Sequence, residues 1–124
     1  MRAQRAQCRG RKPVGAFTQQ PNVALDLEYL EEAVAEAAAA AEWYATRSTT
    51  AAAGFETELA EAESAIRRLP KAWPPYDHGT RRYLLRRYPF GVVYRVERTR
   101  VLIVAIAHGH RRPGYWRDRQ QGPG

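Results

Sequence analysis

The sequence predicts an α+β domain: an N-terminal αα-hairpin packed on a twisted, mainly antiparallel sheet of three to four strands. Three observations carry this. Apolar residues recur at alternating steps of four and three in two successive segments between residues 30 and 69. Three strand-like runs follow between residues 82 and 107, separated only by PFG and ERTR. Charge divides at the same place, with ten Asp/Glu against three Arg in residues 21–69 and twelve Lys/Arg against three acids in residues 70–124.

The length of 124 residues allows one domain and one modest core. Ala supplies much of the 44% hydrophobic fraction, so the core must rest on a few large side chains. Residues 1–21 hold five Lys/Arg and no acid, with no helical or strand period. They read as a disordered basic extension, more simply an over-extended start than a nucleic-acid arm. The folded domain is expected over residues 22–119, and residues 120–124 as a disordered tail, within a frayed RDRQQGPG end.

VALDLEYL begins by alternating and suggests a short first strand. Leu30, Val34, Ala37, Ala41 and Tyr44 then mark one face of a helix, with the Ala37–Ala41 run adding high helix propensity. Trp43 and Tyr44 read as its core anchor. Ser48, Thr49 and Thr50 offer capping oxygens for a second helix. Its inner face would be Phe55, Leu59, Ala62, Ile66 and Leu69, and Pro70 ends it. Acids cover the outside of the hairpin. Beyond the loop KAWPPYDHGT, Arg82–Tyr88 reads as a strand and Pro89-Phe90-Gly91 as a turn or bulge. Val92, Tyr94 and Val96 lie on one side of the next strand. Val101–Ala107 is continuously apolar, as for a central strand buried on both faces. Short connections make these pairs antiparallel.

Cys8 is alone, so no intrachain disulfide forms and a reducing cytoplasm is the simplest compartment. No run approaches the roughly 20 apolar residues of a membrane span. No membrane role and no cofactor are expected. Three histidines without a spaced carboxylate set or further Cys do not make a metal site. No phosphate-binding glycine loop and no nucleophile elbow is present.

The chemistry concentrates after the last strand, where His108, His110, Arg111, Arg112, Tyr115, Trp116, Arg117 and Arg119 gather with little acid nearby. A segregated positive field of this kind steers a phosphate-rich or acidic partner toward one face. Metal-free RNA cleavage needs a base, a phosphate-holding cation and an acid. His108, Arg111 and Tyr115 are the candidate set for it. Arg82, Arg86, Arg112 and Trp116 are candidates for binding a macromolecular partner or target. Plain structural roles compete with each: a strand-end histidine usually makes structural hydrogen bonds, Tyr115 and Trp116 can cap the apolar sheet, and edge arginines guard against aggregation.

The ordered set EAVAEAAAAAEWYATRS, FETELAEAESAIRRLP, RRYPF and AHGHRRPGYW resembles the RelE/ParE superfamily of type II toxin–antitoxin toxins, most closely its ParE-like branch. The resemblance spans roughly residues 23–119. It implies a growth-arresting toxin, a plasmid-stabilisation role and a cognate antitoxin whose C-terminal segment folds as it wraps the toxin; the basic strands predict that this segment is acidic. The first 20 or so residues have no counterpart in the family, so Met1 is not expected to be the natural start. ParE-like members inhibit DNA gyrase; RelE-like members cleave mRNA on the ribosome. The nuclease branch carries a lysine-rich stretch where this chain offers only Lys71 and His78. The terminal HRRPGYW is ParE-like. The resemblance therefore favours a gyrase inhibitor, with a ribosome-dependent endoribonuclease as the alternative.

Overall fold

The computed structural model describes residues 25–119; the expected basic extension and the residues 120–124 lie outside the described residues. Strand β1 (Asp26–Tyr29) leads into helix α1 (Glu31–Ala45) and helix α2 (Thr49–Arg68). A single 3-10 turn (Asp77–Gly79) precedes β2 (Arg81–Leu84), β3 (Phe90–Val96) and β4 (Arg100–His108). The sheet order is β1-β4-β3-β2. β2–β3 and β3–β4 are antiparallel, and only β1–β4 is parallel. This is the expected α+β arrangement, with four strands and a mainly antiparallel sheet.

Local chemistry sets the helix ends. Ser48 Oγ accepts from Ala51 N at 3.1 Å and caps α2, while Arg67 and Arg68 lie in its last turn, where cations suit the helix dipole. α1 has no side-chain cap, but Glu31 and Glu32 in its first turn complement its positive end. Both helices pack on one sheet face. Ala33, Ala40, Phe55, Ala62 and Ile66 meet Val92, Tyr94, Val101, Ile103 and Ile106 there. The small alanines let α1 lie close to both α2 and β4.

Several expectations need correction. The inner face of α1 is Ala33, Ala37, Ala40, Ala41 and Tyr44; Val34 is exposed. Leu30 is buried in the opposite cluster, because it precedes α1 and still belongs to the strand. Leu69 is exposed at the end of α2. Trp43 is 53% exposed, so Tyr44 alone anchors the helix, ringed by Phe55, Tyr88 and Phe90. The strand expected over Arg82–Tyr88 stops at Leu84, where Glu58 takes the amides of Arg86 and Arg87 out of the ladder. Phe90 and Gly91 belong to β3. The end of the chain is not frayed through Arg119, which is held in an ion pair with Glu36 at 2.7 Å.

β4 is the central strand, buried on both faces. Its pairing with β3 slips by one residue, from Val93↔Ala105 to Tyr94↔Ile103, leaving Val104 as the bulge. Val101 and Ile103 therefore face the helices, Leu102, Val104 and Ala105 face the other way, and Ile106 returns to the helical side. The helix-free face carries a second, smaller core closed by Leu30 and Trp116.

Candidate functional site: a cationic cleft on the helix-free face

β4 ends at His108, and the chain turns back through Arg111–Arg119 across the helix-free face. Trp116 is only 2% exposed, against Val93, Leu102 and Val104. Gly114 makes the return possible: it adopts φ 81°, and a side chain there would also press on His78. His78 itself sits at φ 59°, with its ring edge-on to Trp116.

This return creates a concavity of about 300 Å³. Tyr76, Arg82, His108, Arg111, Arg112 and Trp116 line it, and no acidic residue does. The fold thus brings together Arg82, Arg112, His108, Arg111 and Trp116, from β2, the end of β4 and the return segment. Arg86 is exposed beyond β2 and lies outside the cleft. Tyr115 also lies outside it, turned toward α1.

Some arginines are held by acids and others are not. Arg87, Arg95, Arg100 and Arg119 are tied to carboxylates: Arg87 to Glu58, Arg95 to Glu97, Arg100 to both Glu97 and Glu28, and Arg119 to Glu36. Among the described residues Arg82, Arg86, Arg111 and Arg112 have no ion-pair partner. Aromatic rings position two of them. Arg82 lies 4.1 Å from the Tyr76 ring centroid and Arg111 lies 3.7 Å from that of Tyr115. Such guanidiniums keep their donors free for carboxylates or phosphates.

Of the candidate nuclease set, His108 and Arg111 share the cleft wall and Arg111 stacks on Tyr115, whose hydroxyl points away to α1. His108 Nδ1 accepts from the His110 amide at 3.0 Å, and its ring stands edge-on to Phe90. The Tyr115 hydroxyl donates to Glu36 Oε2 at 2.7 Å. Burial, and then the Glu36 carboxylate, push the Tyr115 phenol well above its ordinary value. Burial also pushes Glu36 upward, but bonds from Arg119, Tyr115 and the Ile106 amide outweigh it and leave the carboxyl below its usual range. The Tyr115 hydroxyl is thus held as a donor to Glu36.

A second concavity of about 480 Å³ runs between α1 and the end of β4, with Ala39, Ala40, Trp43, Tyr44, Phe90 and Ile106 among its walls. Arg47 stacks over the exposed Trp43 at 4.0 Å. Sequence reading missed Glu36 and Glu58, and it placed Arg119 in the terminal cluster without its partner Glu36. The sequence pattern puts hairpin acids on the outer face, and the signal against it is that both glutamates fall beside inner apolar positions. Among the described residues no group of three or more His, Cys, Asp or Glu is placed to hold a metal ion. No described helix is long and apolar enough to cross a membrane.

These features define a small α+β protein with an acidic helical side and a cationic sheet face. The chain matches, over residues 27–113, the model of the family described as "ParE toxin of type II toxin-antitoxin system, parDE", and it belongs to that family. It is a ParE-like toxin, so an antitoxin is its partner. A structure described as the chromosomal ParDE TA system from P. aeruginosa has the same fold. The two chains are 18% identical with a TM-score of 0.61, and the match covers 71% of this chain and 98% of that one. No curated protein matches the sequence.

Proposed function

We propose that this toxin arrests growth by inhibiting DNA gyrase in the cytoplasm, and that an antitoxin with an acidic C-terminal segment silences it at the cationic cleft. The observation that carries the reading is the cleft itself: Arg82, Arg111 and Arg112 around one concavity with no acidic wall residue. Guanidiniums on β2 and the return segment, without ion pairs among the described residues, favour a negatively charged macromolecular surface and speed its encounter. Arg86, exposed beside the cleft, extends the same field. Trp116 lines the wall although it is almost wholly buried in the core. The engagement of the Tyr115 hydroxyl by Glu36 favours inhibition over RNA cleavage.

The purified toxin is expected to block supercoiling by gyrase and to leave mRNA intact in a translating extract. Cleavage of mRNA with normal supercoiling would favour the endoribonuclease instead. The double reversal Arg82→Glu with Arg86→Glu is expected to weaken antitoxin binding by at least about tenfold in calorimetry. Unchanged affinity would remove this face as the docking surface.

A further inference from the structure

β1 leaves the sheet early. Its last rung is the Leu30 amide donating to Ile103 O at 2.9 Å, after which the chain enters α1. β4 continues to His108, so its edge beyond Ile103 has lost its strand partner. Two backbone groups on that edge are met by side chains. Arg119 Nη1 donates to Val104 O at 3.0 Å, and the Ile106 amide donates to Glu36 Oε1 at 3.0 Å. Glu36 also accepts from Arg119 Nη1 at 2.9 Å, from Arg119 Nη2 at 2.7 Å and from the Tyr115 hydroxyl at 2.7 Å.

One half-buried carboxylate on α1 thus joins the central strand to two points of the return segment. These bonds tie down a segment that is exposed over residues 109–113 and is otherwise held by the buried Trp116 and by the Gly109 amide bonding Pro89 O at 2.8 Å. What Glu36 adds is the orientation of Tyr115. The Tyr115 ring is the platform beneath Arg111, at 3.7 Å, and Arg111 makes no ion pair of its own among the described residues. Arg119 completes the device. Its two-pronged bond to Glu36 occupies the one carboxylate that shares the α1 groove with Arg111. Arg111 is left available to a ligand.

We infer that Glu36 is a positioning residue of the toxin's recognition face: from α1 it fixes Tyr115, and through the Tyr115 ring it sets the Arg111 guanidinium at the rim of the cleft. The inference rests on the reading that the cleft is the recognition face, but not on gyrase being the target.

The test is a double-mutant cycle on growth arrest, scored as the inducer level at which the full-length chain halts a culture. Glu36→Gln and Tyr115→Phe are each combined with Arg111→Ala, and melting curves are recorded for every variant. Tyr115→Phe keeps the ring and removes only the hydroxyl, so it answers the question even where Glu36→Gln fails to fold. Each single variant is expected to need about tenfold more toxin. In the Arg111→Ala background neither change is expected to cost anything further. Full additivity would overturn the positioning role while leaving the cleft standing. An Arg111→Ala toxin as potent as the original would overturn both. Parallel supercoiling assays on the original chain decide the target separately.

Discussion

Glu58 lies on α2 at 3% exposure, yet it is ionised and fully employed. Its Oε1 accepts from the amides of Arg86 and Arg87 at 3.0 and 3.1 Å, and its Oε2 accepts from Arg87 Nε at 2.7 Å. These bonds close the sharp bend between β2 and β3. Burial pushes the carboxyl up, and the bonds from Arg87 and the two amides more than reverse it. The Arg87 side chain is 73% exposed, so solvent screens most of the charge attraction and the amides dominate the cost of loss. Glu58→Ala leaves both amides without their acceptor and is expected to destabilise the fold by about 2–4 kcal/mol in urea denaturation. A loss under about 0.5 kcal/mol would show that water replaces the carboxylate freely. Glu36 and Glu58 share one pH signature. Both carboxyls are lower folded than unfolded, so the unfolded chain binds more protons in acid. Their contribution is complete above the unfolded value of about 4.3 and is lost as pH falls through the folded values. Denaturation midpoints should therefore stay level from neutrality to about pH 5 and drop below it; Glu58→Gln should flatten that drop.

At the scale of an element, α2 contains a glycine where propensity argues for alanine. Gly54 lies under Tyr88, whose hydroxyl donates to Ala51 O at 2.8 Å across the bend. A Cβ at Gly54 would overlap that hydroxyl. Alanine would gain about 1 kcal/mol of helix propensity but would displace a rigid ring that also packs on Tyr44 and Phe55. Gly54→Ala is expected to lower stability by about 1–2 kcal/mol. In a Tyr88→Phe background the same change should be neutral or stabilising, because the overlapping atom is gone. Thermal melts of the four proteins check the change of sign. β4 shows the opposite relation of sequence to element. Its unbroken apolar run announces a central strand, yet the same run conceals the bulge at Val104. Either face accepts Val, Leu or Ile, so no residue marks where the alternation slips.

Across the whole molecule, the sheet separates two cores of unequal size. The larger lies under the helices, while the smaller depends on a few side chains and on Trp116 as its cover. Trp116→Ala is expected to cost about 3–5 kcal/mol and to uncouple Arg111 and Arg112 from the sheet. Denaturant unfolding together with amide exchange on β4 would measure both effects. Loss of less than about 1 kcal/mol would mean that the helix-free face tolerates solvent without its cover.

The sequence by itself determined the helical hairpin, the central strand, the segregation of charge and the family. Each of these is written in local spacing or in an ordered set of short motifs. Tertiary structure alone decided which arginines remain free. Arg87 and Arg86 are neighbours in the chain, yet Arg87 reaches Glu58 on α2 and Arg86 has no ion pair among the described residues. Arg119 and Arg111 share one return segment, yet Arg119 spans to Glu36 while Arg111 stacks at the cleft. Each pairing joins residues far apart in the chain, where no periodicity connects them. It is set by which helical turn the packed alanines bring against the sheet.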